Sequence, residues 1–155
     1  RGSMMQALME APLDTFADEA GVERAGLGLI GVSLPKEEWT HAAHFAAVLW
    51  LLRRDGAAVV AREMPDLIRR YNVGTGGVNS DTEGYHETIT QASIRAAANL
   101  LAMNPDAPLN EVLRDLLRTS LGRSNWPMTY WTRERLFSVE ARRGWVEPDI
   151  APLPF

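Results

Sequence analysis

The chain has three histidines, and all of them fall in two short motifs, Trp39-Thr40-His41-Ala42-Ala43-His44 and Gly84-Tyr85-His86-Glu87-Thr88-Ile89-Thr90. A neutral imidazole can ligate a metal or offer a nitrogen as a base, and histidine is the side chain that ordinarily changes charge near neutral pH. On a helix, residues three apart share a side, with Cβ atoms about 5–6 Å apart, so His41 and His44 could grip one ion between them. With His86 as third ligand, a divalent ion such as zinc or iron would keep one position open to activate water or bind substrate. Glu87 is the candidate general base or fourth ligand, and Glu38 and Glu83 could take the same part. Hydrolysis or oxidation of a small molecule is the chemistry such a centre would carry.

The same residues admit other readings. His41 and His44 could be first-turn residues bonded to free backbone groups, and His86 a core histidine tied to a threonine hydroxyl. A metal-free acid–base site built from histidine and glutamate is a further alternative. Glu38-Trp39-Thr40-His41 and Glu83-Gly84-Tyr85-His86 both have the Glu-x-x-His form of di-iron carboxylate bundles, with Glu63 available as a single carboxylate. Both motifs, however, fall in first turns, and Glu83 is better explained by a capping box. His86-Glu87 does not continue to a zinc-protease motif, because Thr90 stands where the second histidine would be. Gly74-Thr75-Gly76-Gly77 has no phosphate-loop ending and reads as a lid beside the histidines.

Helices must bring these residues together. Glu37 and Glu38 follow Pro35, and an apolar stretch closed by Asp55-Gly56 predicts a helix over 36–54, buried on most of its circumference. A second helix is predicted over 57–71, with Ala58, Val59, Leu67 and Ile68 inward, and Pro65 either kinks it or starts a new one. The stretch 72–84 is glycine- and asparagine-rich and loop-like. Ser80-Asp81-Thr82-Glu83 has the capping-box form and predicts a helix over 85–103, with His86, Ile89, Ser93, Ala97 and Leu100 on one face. If these three helices are consecutive and antiparallel, the first and third run in the same direction, and their N-terminal ends meet.

The rest is read more simply. A helix is predicted over 110–121, ended by Gly122, and short helices over 127–134 and 139–144, the last capped by Ser138. Residues 146–155 hold three prolines and predict an extended segment. Residues 7–9 and 15–20 suit single helical turns, and Gly26, Gly28 and Gly31 an extended or turning segment. The expected whole is all-α: a single-domain helical bundle of about four to six helices, over 33–150, behind a weakly structured segment over 4–32 and ahead of an extended tail over 151–155. Arg1-Gly2-Ser3 before Met4 reads as a tag remnant.

Composition narrows the function. A net charge of −4 is wrong for a protein that works by neutralising phosphates, so no nucleic-acid partner is expected. The absence of cysteine excludes disulfides, thiolate catalysis and cysteine-based metal sites and suits a reducing cytoplasm. The longest apolar run, 45–52, is far short of the roughly 20 residues a membrane span needs. The aromatic residues Trp126, Tyr130 and Trp131 fit a core, a ligand pocket or a dimer contact.

The Trp39-to-His44 and Gly84-to-Thr90 motifs are followed by Arg133-Glu134-Arg135-Leu136-Phe137-Ser138 and by Trp145-Val146-Glu147-Pro148-Asp149. In that order they resemble blocks shared by a group of small bacterial proteins of no assigned activity, over about residues 33–150. The resemblance implies a bacterial, cytoplasmic helical protein and assigns no residue a role. Two functions follow as expectations: a metal-dependent hydrolase or oxidase with His41, His44 and His86 as ligands and Glu87 as base, or a metal-free domain that binds a small molecule or a second copy of itself.

Overall fold

The structure, a computed structural model, describes residues 15–155. The turn expected over 7–9 lies outside the described residues. Within them the chain forms seven α-helices and three 3-10 turns, and no strand. The number exceeds the expected four to six because Glu19–Ile30 is helical as well, ahead of the two short C-terminal helices of 4 and 5 residues.

The first helix, α1 (Glu19–Ile30), replaces the extended segment expected around its glycines. Asp18 caps it by accepting from the Gly21 N–H at 3.1 Å. Gly26 and Gly28 sit inside this helix because neighbours press on it. A Cβ on Gly26 would lie 2.4 Å from Trp50 Cε3, and one on Gly28 would lie 2.6 Å from Leu34 Cβ. Here glycine serves close packing rather than a turn.

Residues expected as one helix over 36–54 divide in two. A 3-10 turn covers Lys36–Glu38, and α2 (His41–Asp55) starts after Thr40. The Thr40 hydroxyl accepts from the Ala43 N–H at 3.2 Å, a cap that a β-branched threonine in extended conformation supplies well. As its composition demanded, α2 is the most enclosed helix, with Ala43, every residue over 45–49, Leu51 and Leu52 buried. It packs against α1, against α3 (Ala57–Gly74), against α4 (Glu87–Met103) and against α5 (Leu109–Arg118).

Pro65 stands inside α3 without ending it. The buried residues of α3 are Val60, Met64, Ile68 and Tyr71, one face at helical spacing, whereas Ala58 is exposed. That corrects the inward face by two positions at its start. Ser80 does not cap α4. Its hydroxyl accepts from the Thr82 and Glu83 N–H groups and closes a local turn, and the residue that caps α4 is His86. In α5, Leu109, Val112, Leu113 and Leu116 are buried. A 3-10 turn over Ser120–Gly122 follows, then another over Trp126–Thr129.

Two short helices, α6 (Arg133–Leu136) and α7 (Val139–Arg143), complete the chain, with Ser138 capping α7 as expected. Beyond them the chain is not helical but is anchored. The Trp131 indole N–H donates to Val146 O at 3.0 Å, the Ile150 N–H to Tyr130 O at 2.9 Å, and Phe155 packs edge-on against Trp126 and Tyr130. Trp126 and Trp131 are core residues, 3% and 0% exposed.

Candidate functional site

Because Thr40 caps α2, His41 is its first residue and His44 follows on the same side. His41 Nε2 lies 2.7 Å from the Leu121 carbonyl oxygen, and His44 Nδ1 lies 2.8 Å from the Thr40 carbonyl oxygen. A carbonyl only accepts, so each of these nitrogens carries the hydrogen. The ring of His44 is stacked on Trp39, centroids 3.8 Å apart, and Trp39 in turn meets Tyr71 at 5.0 Å. Burial pushes the His44 pKa down to about 4, helped by the nearby His41 and opposed by the Thr40 carbonyl. His44 is therefore neutral at pH 7, with its hydrogen on Nδ1 and a lone pair on Nε2. That nitrogen is not sealed in the core. Among the described residues, the buried side-chain nitrogen or oxygen left without a partner is Arg142 Nε.

His86 is used differently. Its Nδ1 accepts from the Ile89 N–H at 3.1 Å, capping α4, and its Nε2–H donates to Leu136 O at 2.7 Å. Both nitrogens are spent on backbone, and the ring is 8% exposed. Burial lowers its pKa, with a further push from the Arg142 guanidinium and opposition from the Leu136 carbonyl. To ligate an ion His86 would have to give up one of these bonds.

Two cavities adjoin these rings. The inner one, about 300 Å³, is lined by His41 and His44 together with Phe45, Met64, Ser93 and Trp126. The outer one, about 390 Å³, is lined by His44 and His86 together with Lys36, Trp39, Glu83 and Tyr85. His44, Ile68, Ile89 and Thr90 belong to both and form the wall between them. The N-terminal ends of α2 and α4 thus border one cavity. The three histidines do not converge on one point: among the described residues, no group of three histidine, aspartate or glutamate side chains is arranged to hold an ion.

The carboxylates are placed elsewhere too. Glu87 accepts from the Tyr85 hydroxyl, whose pKa rises first from burial and then from that carboxylate. Glu38 is paired with Arg24, Glu63 is exposed beside Arg62, and Glu83 is exposed at the rim of the outer cavity. No Glu-x-x-His pair forms a carboxylate–histidine site.

Of the stretch that reads as a lid, Thr75 and Gly77 line the outer cavity, together with Val78 and Gly84 further along the loop. It is held by a defined set of bonds. Asn79 Oδ1 accepts from Asn72 Nδ2 at 2.9 Å and from the Tyr85 N–H at 3.0 Å, while Asn79 Nδ2 donates to Arg69 O at 3.0 Å. Arg143 grips Asp81 with two bonds of 2.8 and 2.7 Å.

Sequence reasoning passed over Trp39, Met64 and Ser124 as site residues. Trp39 carried a usable signal, since an apolar residue just ahead of a threonine cap often packs back on the first turns of its helix. The carbonyls of Leu121 and Leu136, which fix two of the rings, lie 80 and 50 residues away and leave no trace in local pattern. Among the described residues no helix is long and apolar enough to cross a membrane. No family model, curated protein or solved structure matches the chain.

Proposed function

We propose that the protein binds a small organic molecule in the inner cavity, with His44 as its polar anchor. The observation that carries this reading is the pair of rings on the first turns of α2. Each ties one nitrogen to a backbone carbonyl, which fixes its tautomer, and each lines a cavity whose other walls are mostly apolar. An apolar pocket of about 300 Å³ with a few oriented polar groups has the size and make-up of a small-molecule site. A ring with pKa about 4 is a weak general base at neutral pH, since efficient bases titrate near the working pH. It is a good acceptor. Binding is thus better supported than acid–base catalysis.

A second reading, a metal centre serving hydrolysis or oxidation, keeps one supporting observation. His41 Nδ1 and His44 Nε2 remain uncommitted, three residues apart on one helix. Two protein ligands are one fewer than the three usual at catalytic zinc.

A screen of neutral, fragment-sized compounds by NMR tests the two together. Hits that shift the ring of His44, the indole of Trp126 and the methyl of Met64 are the expected result. Compounds that bind only elsewhere, or none that bind, would refute it. If one equivalent of zinc is retained through dialysis and perturbs the rings of His41, His44 and His86 together, the metal reading replaces it.

A further inference from the structure

Four of the inner cavity's polar groups spend their hydrogens on backbone carbonyls. His41 Nε2–H goes to Leu121 O and His44 Nδ1–H to Thr40 O. The Thr90 hydroxyl donates to His86 O at 2.8 Å, and the Ser93 hydroxyl to Ile89 O at 2.7 Å. What His44 and Ser93 have left is a lone pair, on Nε2 and on the hydroxyl oxygen, while the Thr90 hydroxyl also meets that of Tyr85. Ser124, on the exposed side, and the indole N–H of Trp126 are the lining donors not committed in this way. None of the lining residues is lysine, arginine, aspartate or glutamate.

From this lining we infer that the ligand is a neutral molecule with an apolar body and an O–H or N–H donor, a phenol or alcohol in its simplest form, whose hydrogen goes to His44 Nε2. The inference rests on the small-molecule reading above and narrows it. A carboxylate or phosphate brings only acceptors, and a charge that no lysine or arginine of the lining balances. An ammonium group would find acceptors but no counter-charge, and leaving water uncompensated is costly for an ion. An ether of the same shape fits the apolar walls but leaves the acceptors dry and unpaired. A hydroxyl satisfies them.

Four probes of nearly one shape separate these cases: 4-ethylphenol, 4-ethylanisole, 4-ethylbenzoate and 4-ethylbenzylammonium, titrated into the intact protein by calorimetry at pH 7. The phenol is expected to bind at least about tenfold more tightly than the methyl ether, the loss that follows when one buried hydrogen bond is not made. It should bind more tightly than either ion by a larger factor. The ¹⁵N resonance of His44 Nε2 should move on adding the phenol and stay in place on adding the ether. Equal affinity of phenol and ether would overturn the donor requirement while leaving the cavity a small-molecule site, as would tighter binding of the benzoate or the ammonium. Failure of all four to bind, with no shift at His44, would overturn the small-molecule reading itself and this inference with it.

Discussion

His86 and Leu136 are joined by a 2.7 Å hydrogen bond from the imidazole Nε2 to the backbone carbonyl, across 50 positions of chain. The other nitrogen of the same ring caps α4 at Ile89. One side chain thereby sets where α4 begins and pins α6 against that start. The Arg142 guanidinium reinforces the joint by donating to Gly84 O at 3.1 Å.

His86 should therefore act as a structural residue. His86→Ala removes a helix cap and a buried tertiary bond, and is expected to cost about 2–3 kcal/mol in urea unfolding. His86→Asn retains a side chain that caps well but cannot reach Leu136, and should recover about 1 kcal/mol of that loss. Two variants as stable as the parent protein would show that neither bond matters.

Acidification should weaken the fold before the carboxylates titrate. The pKa of His44 falls from the ordinary 6.5 in the unfolded chain to about 4 in the folded protein, and that of His86 is lowered as well. The unfolded state thus binds more protons between these values, so stability rises with pH across this window and is lost as pH falls from 6.5 towards 4. With allowance for partial contact with solvent, His44 contributes about 2 kcal/mol to that loss. Unfolding free energies measured at steps from pH 7 to pH 4 should show this slope, and His44→Gln should flatten it. An unchanged slope in the variant would assign the acid sensitivity to other groups.

The sequence disclosed which ends of which helices meet, and not what the rings do there. Helical spacing and the order of the elements place His44 and His86 against one cavity, since periodicity and chain direction are local properties. Ring chemistry depends on the carbonyls of Thr40, Leu121 and Leu136, and two of these three come from distant chain. The capping-box motif at Ser80 is present as a turn, but the helix starts at Glu87, because the His86 side chain competes for the cap from a position where serine or aspartate would be expected. The glycines of α1 failed as turn signals for a related reason. Their role is set by Trp50 and Leu34, which no window around 26–28 contains whole.

Gly28 gives the clearest test of that role, and it reaches the site. On helix propensity alone, Gly28→Ala should stabilise α1 by about 1 kcal/mol. The added Cβ would instead meet Leu34 Cβ at 2.6 Å and Leu34 Cα at 3.2 Å, and the backbone of Leu34 cannot swing aside as a side-chain tip could. Overpacking of this kind costs about 1–3 kcal/mol. The net expectation is a loss of up to about 2 kcal/mol on thermal or urea unfolding. The carbonyl of Leu34 accepts the Tyr71 hydroxyl at 2.7 Å, Tyr71 meets Trp39, and Trp39 stacks on His44. Displacing Leu34 should therefore disturb this stack as well, and the ring resonances of His44 should shift in Gly28→Ala. A variant more stable than the parent, with His44 unmoved, would show that the close approach of α1 to Leu34 neither limits the helix nor supports the site.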